Sequence, residues 1–98
     1  MYRVIVRIET TPNTLEHGKP LLILLDEPAN WNQVCYCSWA GHGEGYYYSL
    51  LKQSRPATPE EAENAIKLYG YDTIEDLKIV KRNEQRDRLL AYKLKRKI

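Results

Sequence analysis

The sequence predicts an α+β fold, in which a three- to four-stranded, mainly antiparallel sheet carries two or three helices packed on one face. Three observations support this class. Short apolar segments with strand periodicity dominate residues 1–39, a strongly capped helix occupies 58–69, and a second amphipathic pattern fills 83–98. A chain of 98 residues has the size of one domain, so we expect 1–98 to form a single α+β domain.

The N-terminal part of the chain predicts three strands. Residues 2–9 alternate between two side-chain sets, which is typical of a half-buried strand. The polar residues 10–19 carry turn signals and predict a connecting loop. The continuous apolar run 21–25 predicts a central strand, and 33–39 has the period of a third strand.

The middle of the chain predicts a loop and then a short helix. Residues 40–45 are rich in glycine and predict a loop. The spacing of Tyr47, Leu50 and Leu51 favours a short helix over 46–53, whereas three consecutive tyrosines favour a strand. We expect the helix.

A helix over 58–69 is the clearest single element. Thr58 suits the N-cap, Pro59 suits the first helical position, and Glu61 completes a capping box with Thr58. Gly70 is placed to end the helix in the left-handed conformation. The apolar stripe that would face the core consists of Ala62, Ala65, Ile66 and Tyr69.

The C-terminal part predicts a fourth strand and a last helix. Residues 77–82 have the strand pattern, and 83–98 predict a basic C-terminal helix whose acidic residues come early and basic residues late. Residues 81–98 carry a net charge of +6 and residues 1–80 a net charge of −4, which together give the +2 of the chain. The body is therefore mildly acidic and the tail basic.

Composition limits the cellular setting and the cofactors. The longest apolar run is too short to cross a bilayer, so we expect no membrane partner. The spacing Cys-x-Cys is not a disulfide framework, which favours a reducing, cytoplasmic setting. No catalytic or cofactor motif is present, so we expect no cofactor and no enzymatic activity.

Residues 34–48 concentrate the chemistry of the chain. This segment holds both cysteines, one of the two tryptophans, one of the two histidines, three of the five glycines and four of the eight tyrosines. Its composition favours a contact surface for a partner protein or a small, nucleotide-like ligand. The predicted ligand- or partner-binding residues are Trp39, His42, Glu44, Tyr46, Tyr47, Tyr48 and Arg55.

The glycines of 41–45 suggest a specific role for that surface. Successive backbone N–H groups in a glycine-rich loop can converge on an anion, and a following helix N-terminus adds a favourable field. Flanking rings could stack on a base, and Arg55 could pair with a phosphate. The alternative is a plain turn whose tyrosines belong to the core.

The two cysteines allow two further hypotheses. Cys35, Cys37 and His42 could bind a metal with His17 as fourth ligand, or a thiol with His42 as base could make a small Cys/His-dependent enzyme. Free cysteine in a strand more often acts as a small core residue, so we predict neither a metal site nor catalytic residues.

The basic tail supports an alternative function as a nucleic-acid-binding protein. Lysine and arginine side chains there could neutralise phosphates. A protein partner or a second copy could instead dock on the leucines of the tail, which would give a homodimer. The candidate nucleic-acid contacts are Arg86, Arg88, Lys93, Lys95, Arg96 and Lys97.

Four segments resemble one group of small proteins for which no activity is established, found in bacteria and on mobile elements. They are Gly-His-Gly-Glu at 41–44, Ser-Arg-Pro-Ala-Thr-Pro-Glu-Glu at 54–61, Gly-Tyr-Asp at 70–72 and Leu-Lys-Ile-Val-Lys-Arg at 77–82. In that group a Gly-(Gln)-His segment precedes an Arg-Pro-Ala-Thr-Pro-Glu-Glu helix start and a strand ending in Lys-Arg. The resemblance implies a phage- or plasmid-borne accessory protein, of which an inhibitor is one form. It names no substrate.

Overall fold

The computed structural model describes residues 1–82 and confirms the α+β class. Within these residues, six strands form one open, mixed sheet, and two helices pack on it. The strands are β1 (Tyr2–Glu9), β2 (Pro20–Leu24), β3 (Val34–Ser38), β4 (Gly41–Gly45), β5 (Ser54–Pro56) and β6 (Leu77–Ile79). The helices are α1 (Tyr47–Lys52) and α2 (Pro59–Leu68), and a single 3₁₀ turn follows at Tyr71–Thr73.

The sheet is built around β1. The strand order is β4-β3-β2-β1, with antiparallel pairing throughout. The other edge of β1 is shared, because β5 pairs antiparallel with its last residues and β6 pairs parallel with its first residues. The predicted count of three to four strands was therefore low. The sheet, predicted to be mainly antiparallel, has four antiparallel pairs and one parallel pair.

Helices cover both faces of the sheet, which corrects the prediction that they pack on one face. Successive side chains of β1 and β2 point to opposite faces, and both strands are apolar on both faces. One core therefore forms under α2, from Val4, Val6, Leu22, Leu24, Cys37, Ala62, Ala65 and Ile66. The other forms under α1, from Ile5, Leu21, Ile23, Tyr47, Leu50 and Leu51.

The interior of β1 also includes polar side chains. Residues 4–9 are all buried, so β1 is a central strand rather than the predicted half-buried one. The buried guanidinium of Arg7 donates from Nε to Ser54 Oγ at 2.6 Å and from Nη2 to the Ser54 carbonyl at 2.8 Å. These two hydrogen bonds tie the central strand to β5, an element that the sequence analysis missed.

Helix α2 begins and ends as the sequence predicts. The Thr58 hydroxyl accepts from the Glu61 N–H at 3.2 Å, and the Glu61 carboxylate accepts from the Thr58 N–H at 2.9 Å. Gly70 has a φ of 78°, a left-handed conformation that glycine adopts without a steric penalty. The Tyr69 hydroxyl then donates to the Pro20 carbonyl at 2.7 Å, which anchors the helix end on the sheet.

The predicted glycine-rich loop over 40–45 is largely the edge strand β4, so that prediction was wrong. On the α1 face of the sheet, the ring of Tyr36 lies across the backbone of β4. A Cβ atom added at Gly43 would lie 2.7 Å from the Tyr36 hydroxyl oxygen, and one added at Gly45 would lie 3.4 Å from the ring. The glycines led to the prediction of a loop. In the structure they leave room for the Tyr36 ring, and the chain continues as a strand.

Three other predicted elements have different outcomes. The short helix predicted over 46–53 is confirmed as α1. The strand predicted over 77–82 ends at Ile79. The helix predicted over 83–98 lies outside the described residues.

Substitution of Gly43 tests the packing of Tyr36 on the edge strand. We expect Gly43→Ala to lower the free energy of unfolding by about 1–3 kcal/mol, because the new methyl group overlaps the Tyr36 ring. Chemical denaturation measures the change. Gly45→Ala is the matched control, since its added methyl group meets the same ring at ordinary contact distance, and it should cost less. An equal cost for the two variants would contradict this packing.

The ion pair between Arg55 and Glu61 predicts acid sensitivity. Hydrogen bonds from Arg55 and from the Thr58 N–H lower the pKa of Glu61 to about 2, from an ordinary value of 4.5. A lowered folded-state pKa stabilises the fold above pH 4.5, and the contribution is lost as pH falls towards 2. In low salt, the free energy of unfolding should therefore fall less steeply with decreasing pH in Glu61→Gln than in the unaltered chain. Glutamine at this position keeps the capping box but not the charge. Glu60→Gln keeps the ion pair, so its free energy of unfolding should depend on pH as steeply as that of the unaltered chain.

Candidate functional site

The hairpin of β3 and β4 displays the chemistry that the sequence analysis singled out. The two-residue turn at 39–40 joins the strands, and cross-strand partners are Cys35 with Glu44 and Cys37 with His42. Partners across an antiparallel pair share a face, so all four side chains lie on the α2 face of the sheet. Cys37 is buried there in the core under α2, and Cys35 packs against its border.

A cleft of about 390 Å³ opens on this face. Its floor comes from the hairpin and from the end of β2, and its wall comes from the 3₁₀ turn and from the segment after β2. The lining residues are Leu24, Glu27, Cys35, Tyr36, His42, Gly43, Glu44 and Tyr71. The lining therefore includes two carboxylates and no lysine or arginine.

Hydrogen bonds position the polar groups at the cleft. The Nε2 atom of His42 lies 2.7 Å from the Tyr71 hydroxyl. The Tyr2 hydroxyl donates to Glu27 Oε1 at 2.7 Å. Asn30 Nδ2 donates to Glu44 Oε2 at 3.0 Å. Each carboxylate therefore keeps one oxygen with no hydrogen-bond partner among residues 1–82.

Burial suppresses the acidity of the thiols and the phenol. Burial raises the pKa of Cys37, and a hydrogen bond with Tyr71 offsets part of this rise. Burial also raises the pKa of Cys35, with the carboxylates of Glu44 and Glu27 adding to the effect. The pKa of Tyr71 is raised to about 12 by burial and by Cys37. At neutral pH these three groups are protonated, whereas a cysteine nucleophile acts as the thiolate.

The residues proposed as metal ligands do not come together. Within residues 1–82, no three His, Cys, Asp or Glu side chains are grouped so that they could hold a metal ion. His17 lies in the segment between β1 and β2, where its Nδ1 is 3.2 Å from the Thr11 carbonyl oxygen. The Cys35 Sγ instead donates to the Pro28 carbonyl at 3.1 Å.

The predicted contact residues occupy several parts of the molecule. His42 and Glu44 line the cleft. Trp39 is 53% exposed in the hairpin turn, with Lys19 Nζ 4.7 Å from its ring centroid, and Tyr46 is 47% exposed directly after β4.

Three of the predicted residues lie elsewhere. Tyr47 is 1% exposed and belongs to the core under α1, so its prediction as a surface residue was wrong. Tyr48 is half-buried and meets the Tyr47 ring edge-to-face at 5.7 Å. Arg55 lies on β5, four strand spacings or roughly 19 Å from β4. Its guanidinium donates twice to the carboxylate of Glu61, at 2.9 Å for each bond.

The groups expected to recognise a nucleotide are therefore separated. Residues 41–45 form a strand, so their N–H groups alternate between the two edges instead of converging on an anion. The carboxylate of Glu44 stands beside the cleft, and Arg55 is on the far side of the sheet. The nucleic-acid contacts predicted in the tail, Arg86, Arg88, Lys93, Lys95, Arg96 and Lys97, lie outside the described residues.

Four residues were not predicted as site residues: Glu27 and Tyr71, which line the cleft, and Tyr2 and Asn30, which donate hydrogen bonds to its carboxylates. Glu27 belongs to the acidic turn after β2, which is a visible signal. Tyr71 directly follows Gly70, the predicted end of α2, and its position gave no signal of a cleft. Tyr2 and Asn30 gave no signal, because their roles follow from which segments the sheet brings next to the hairpin.

The structure shows a small α+β domain with a cleft on one sheet face whose lining includes two carboxylates. Comparisons with protein-family models, with curated proteins and with solved structures found no match. The resemblance to bacterial and mobile-element proteins thus stays a prediction. Among residues 1–82, no helix has the length and apolar character needed to cross a membrane.

Alkylation tests the state of the two thiols. We expect both cysteines to react with iodoacetamide at neutral pH more slowly than in the urea-unfolded chain, because burial raises their pKa and limits access. Peptide-level mass spectrometry measures the rates. Glu44→Gln should speed the reaction of Cys35, since the neighbouring carboxylate disfavours its thiolate, whereas Glu63→Gln on α2 should not. Fast modification of the native chain would contradict this description.

Proposed function

We propose that this protein is a non-enzymatic binding protein that takes a basic side chain of a partner protein into the cleft between the hairpin and the 3₁₀ turn. The observation that carries the proposal is the charge of the lining. Glu27 and Glu44 stand at the cleft without a lysine or arginine among the lining residues. A lysine or arginine from a partner would complete the charge balance.

The geometry of the carboxylates supports this ligand. Tyr2 and Asn30 each hold one oxygen of a carboxylate, which fixes the side chain and leaves the second oxygen for a ligand. Such preorganisation reduces the ordering cost of binding. The ring of Tyr71 also borders the cleft, and aromatic faces attract guanidinium and ammonium groups.

Two other functions receive less support from the same residues. A Cys/His-dependent enzyme would need a thiolate, and both thiols have raised pKa values. A nucleotide ligand would need cationic or N–H-rich contacts at a site that presents carboxylates. The role as a phage- or plasmid-borne accessory protein stays a prediction from the resemblance.

A short charged peptide tests the proposed ligand class. The probe is a capped Gly/Ser peptide with one central arginine, and its control replaces the arginine with citrulline, which has the same shape but no charge. We expect the arginine peptide to shift the amide NMR signals of 27, 42–44 and 71 in a saturable way. Equal shifts with both peptides would sink the proposal.

Variants of the two carboxylates locate the binding. Glu27→Gln combined with Glu44→Gln should weaken binding of the arginine peptide about tenfold, since each exposed ion pair contributes about 0.2–1 kcal/mol. Glu60→Gln combined with Glu63→Gln removes the same charge from exposed positions on α2 and should leave the affinity unchanged. Unaltered binding in the double variant would place the contact elsewhere.

A further inference from the structure

The outer edge of β4 is an open strand edge with a fixed pattern of donors and acceptors. Within residues 1–82, no strand lies beyond β4. The two-residue turn makes Ser38 and Gly41 a hydrogen-bonded pair, and such pairs alternate along an antiparallel ladder. The glycines of β4 therefore bond to β3, whereas His42 and Glu44 direct their N–H and C=O groups outward.

Within residues 1–82, this edge carries little of the protection that exposed strand edges usually have. Edge strands are commonly blunted by lysine, by proline, by a bulge or by a covering segment. Strand β4 contains neither lysine nor proline, and its pairing with β3 is continuous over all five residues. Exposed aromatic side chains, Trp39 and Tyr46, stand at its two ends.

The edge is also complementary to itself. When two copies of β4 pair antiparallel about a two-fold axis at Gly43, His42 of each copy lies opposite Glu44 of the other. Both residues point their backbone groups outward, so this register forms four hydrogen bonds between the copies. The axis stands perpendicular to the sheet, and each imidazole therefore lies beside a carboxylate on the same face.

Alternative self-pairings fit less well. Pairing centred on Glu44 sets two carboxylates directly opposite each other, which is unfavourable. Pairing centred on His42 sets Glu44 opposite Ala40 and leaves it without an imidazole. The register about Gly43 also sets Tyr46 opposite Ala40, close to Trp39, so that exposed rings at both ends of the strand become covered.

We propose that two copies of this chain associate through β4, centred on Gly43, to form a dimer with one continuous sheet. The two clefts then lie side by side on the same face, and one dimer presents two acidic clefts to a partner. This inference goes beyond the proposed function, because it needs only the strand edge and the pair His42 and Glu44. The interface is small, so the dimer is concentration-dependent.

Sedimentation velocity over a concentration series tests the association. The full chain of 11.5 kDa should shift from monomer to dimer as its concentration rises. His42→Glu or Glu44→His alone should weaken the dimer about tenfold, because each replaces two attractive cross-strand pairs with like pairs. The variant with both changes restores opposite pairing and has the composition of the unaltered chain, so it should recover the dimer. A monomer at every concentration overturns the proposal.

Hydrogen exchange tests the register independently of the substitutions. On dimerisation the amides of His42 and Glu44 should become protected, while those of Gly41, Gly43 and Gly45, already bonded to β3, should change little. A dimer without this alternation would form elsewhere and would also refute the inference. Glu27→Gln separates the two proposals, because it should weaken binding of the arginine peptide without affecting dimerisation.

Discussion

The pairing of β1 on both edges is the constraint on which the rest of the structure depends. One edge pairs with β2, and the other is divided between β5 and β6, which approach from opposite directions. This central strand also has apolar side chains on both faces, so each face is covered by its own helix. Arg7 remains satisfied inside this arrangement because Ser54, at the start of β5, supplies both a hydroxyl and a carbonyl oxygen. Burial without such partners would be costly for a guanidinium.

The β3–β4 hairpin has a packing face and a polar face. On the α1 face, Tyr36 covers the glycines of β4 and takes the place of the side chains that they lack. On the α2 face, the alternate residues present thiol, imidazole and carboxylate groups to the cleft. This division is possible because successive side chains along a strand point to opposite faces of the sheet and so lie in different environments. The glycines therefore have a packing role, and the chemistry lies with the residues between them.

The character of the cleft follows from what surrounds each group. Burial keeps the thiols of Cys35 and Cys37 protonated, and the pKa of Tyr71 is raised well above neutrality. The carboxylates remain exposed and are fixed from one side by Tyr2 and Asn30. A site with inert thiols and positioned carboxylates is better suited to recognising a cation than to nucleophilic chemistry. The acidic body of the chain, at −4 over residues 1–80, agrees with this sign.

Sequence patterns alone predict the elements whose signals are local: the first strand, the capped helix with its Gly70 stop, and the short helix that begins at Tyr47. Each depends on spacing or capping within a few residues. Tertiary structure alone decided that Gly41–Gly45 is a strand, because Tyr36 comes from a neighbouring strand, and that three residues after α1 form β5, because β1 had an unpaired edge. It also buried Tyr47, separated Arg55 from the hairpin and brought Glu27 to the cleft. Paired strands lie far apart in the chain, so no local sequence pattern indicates which strand edges will pair.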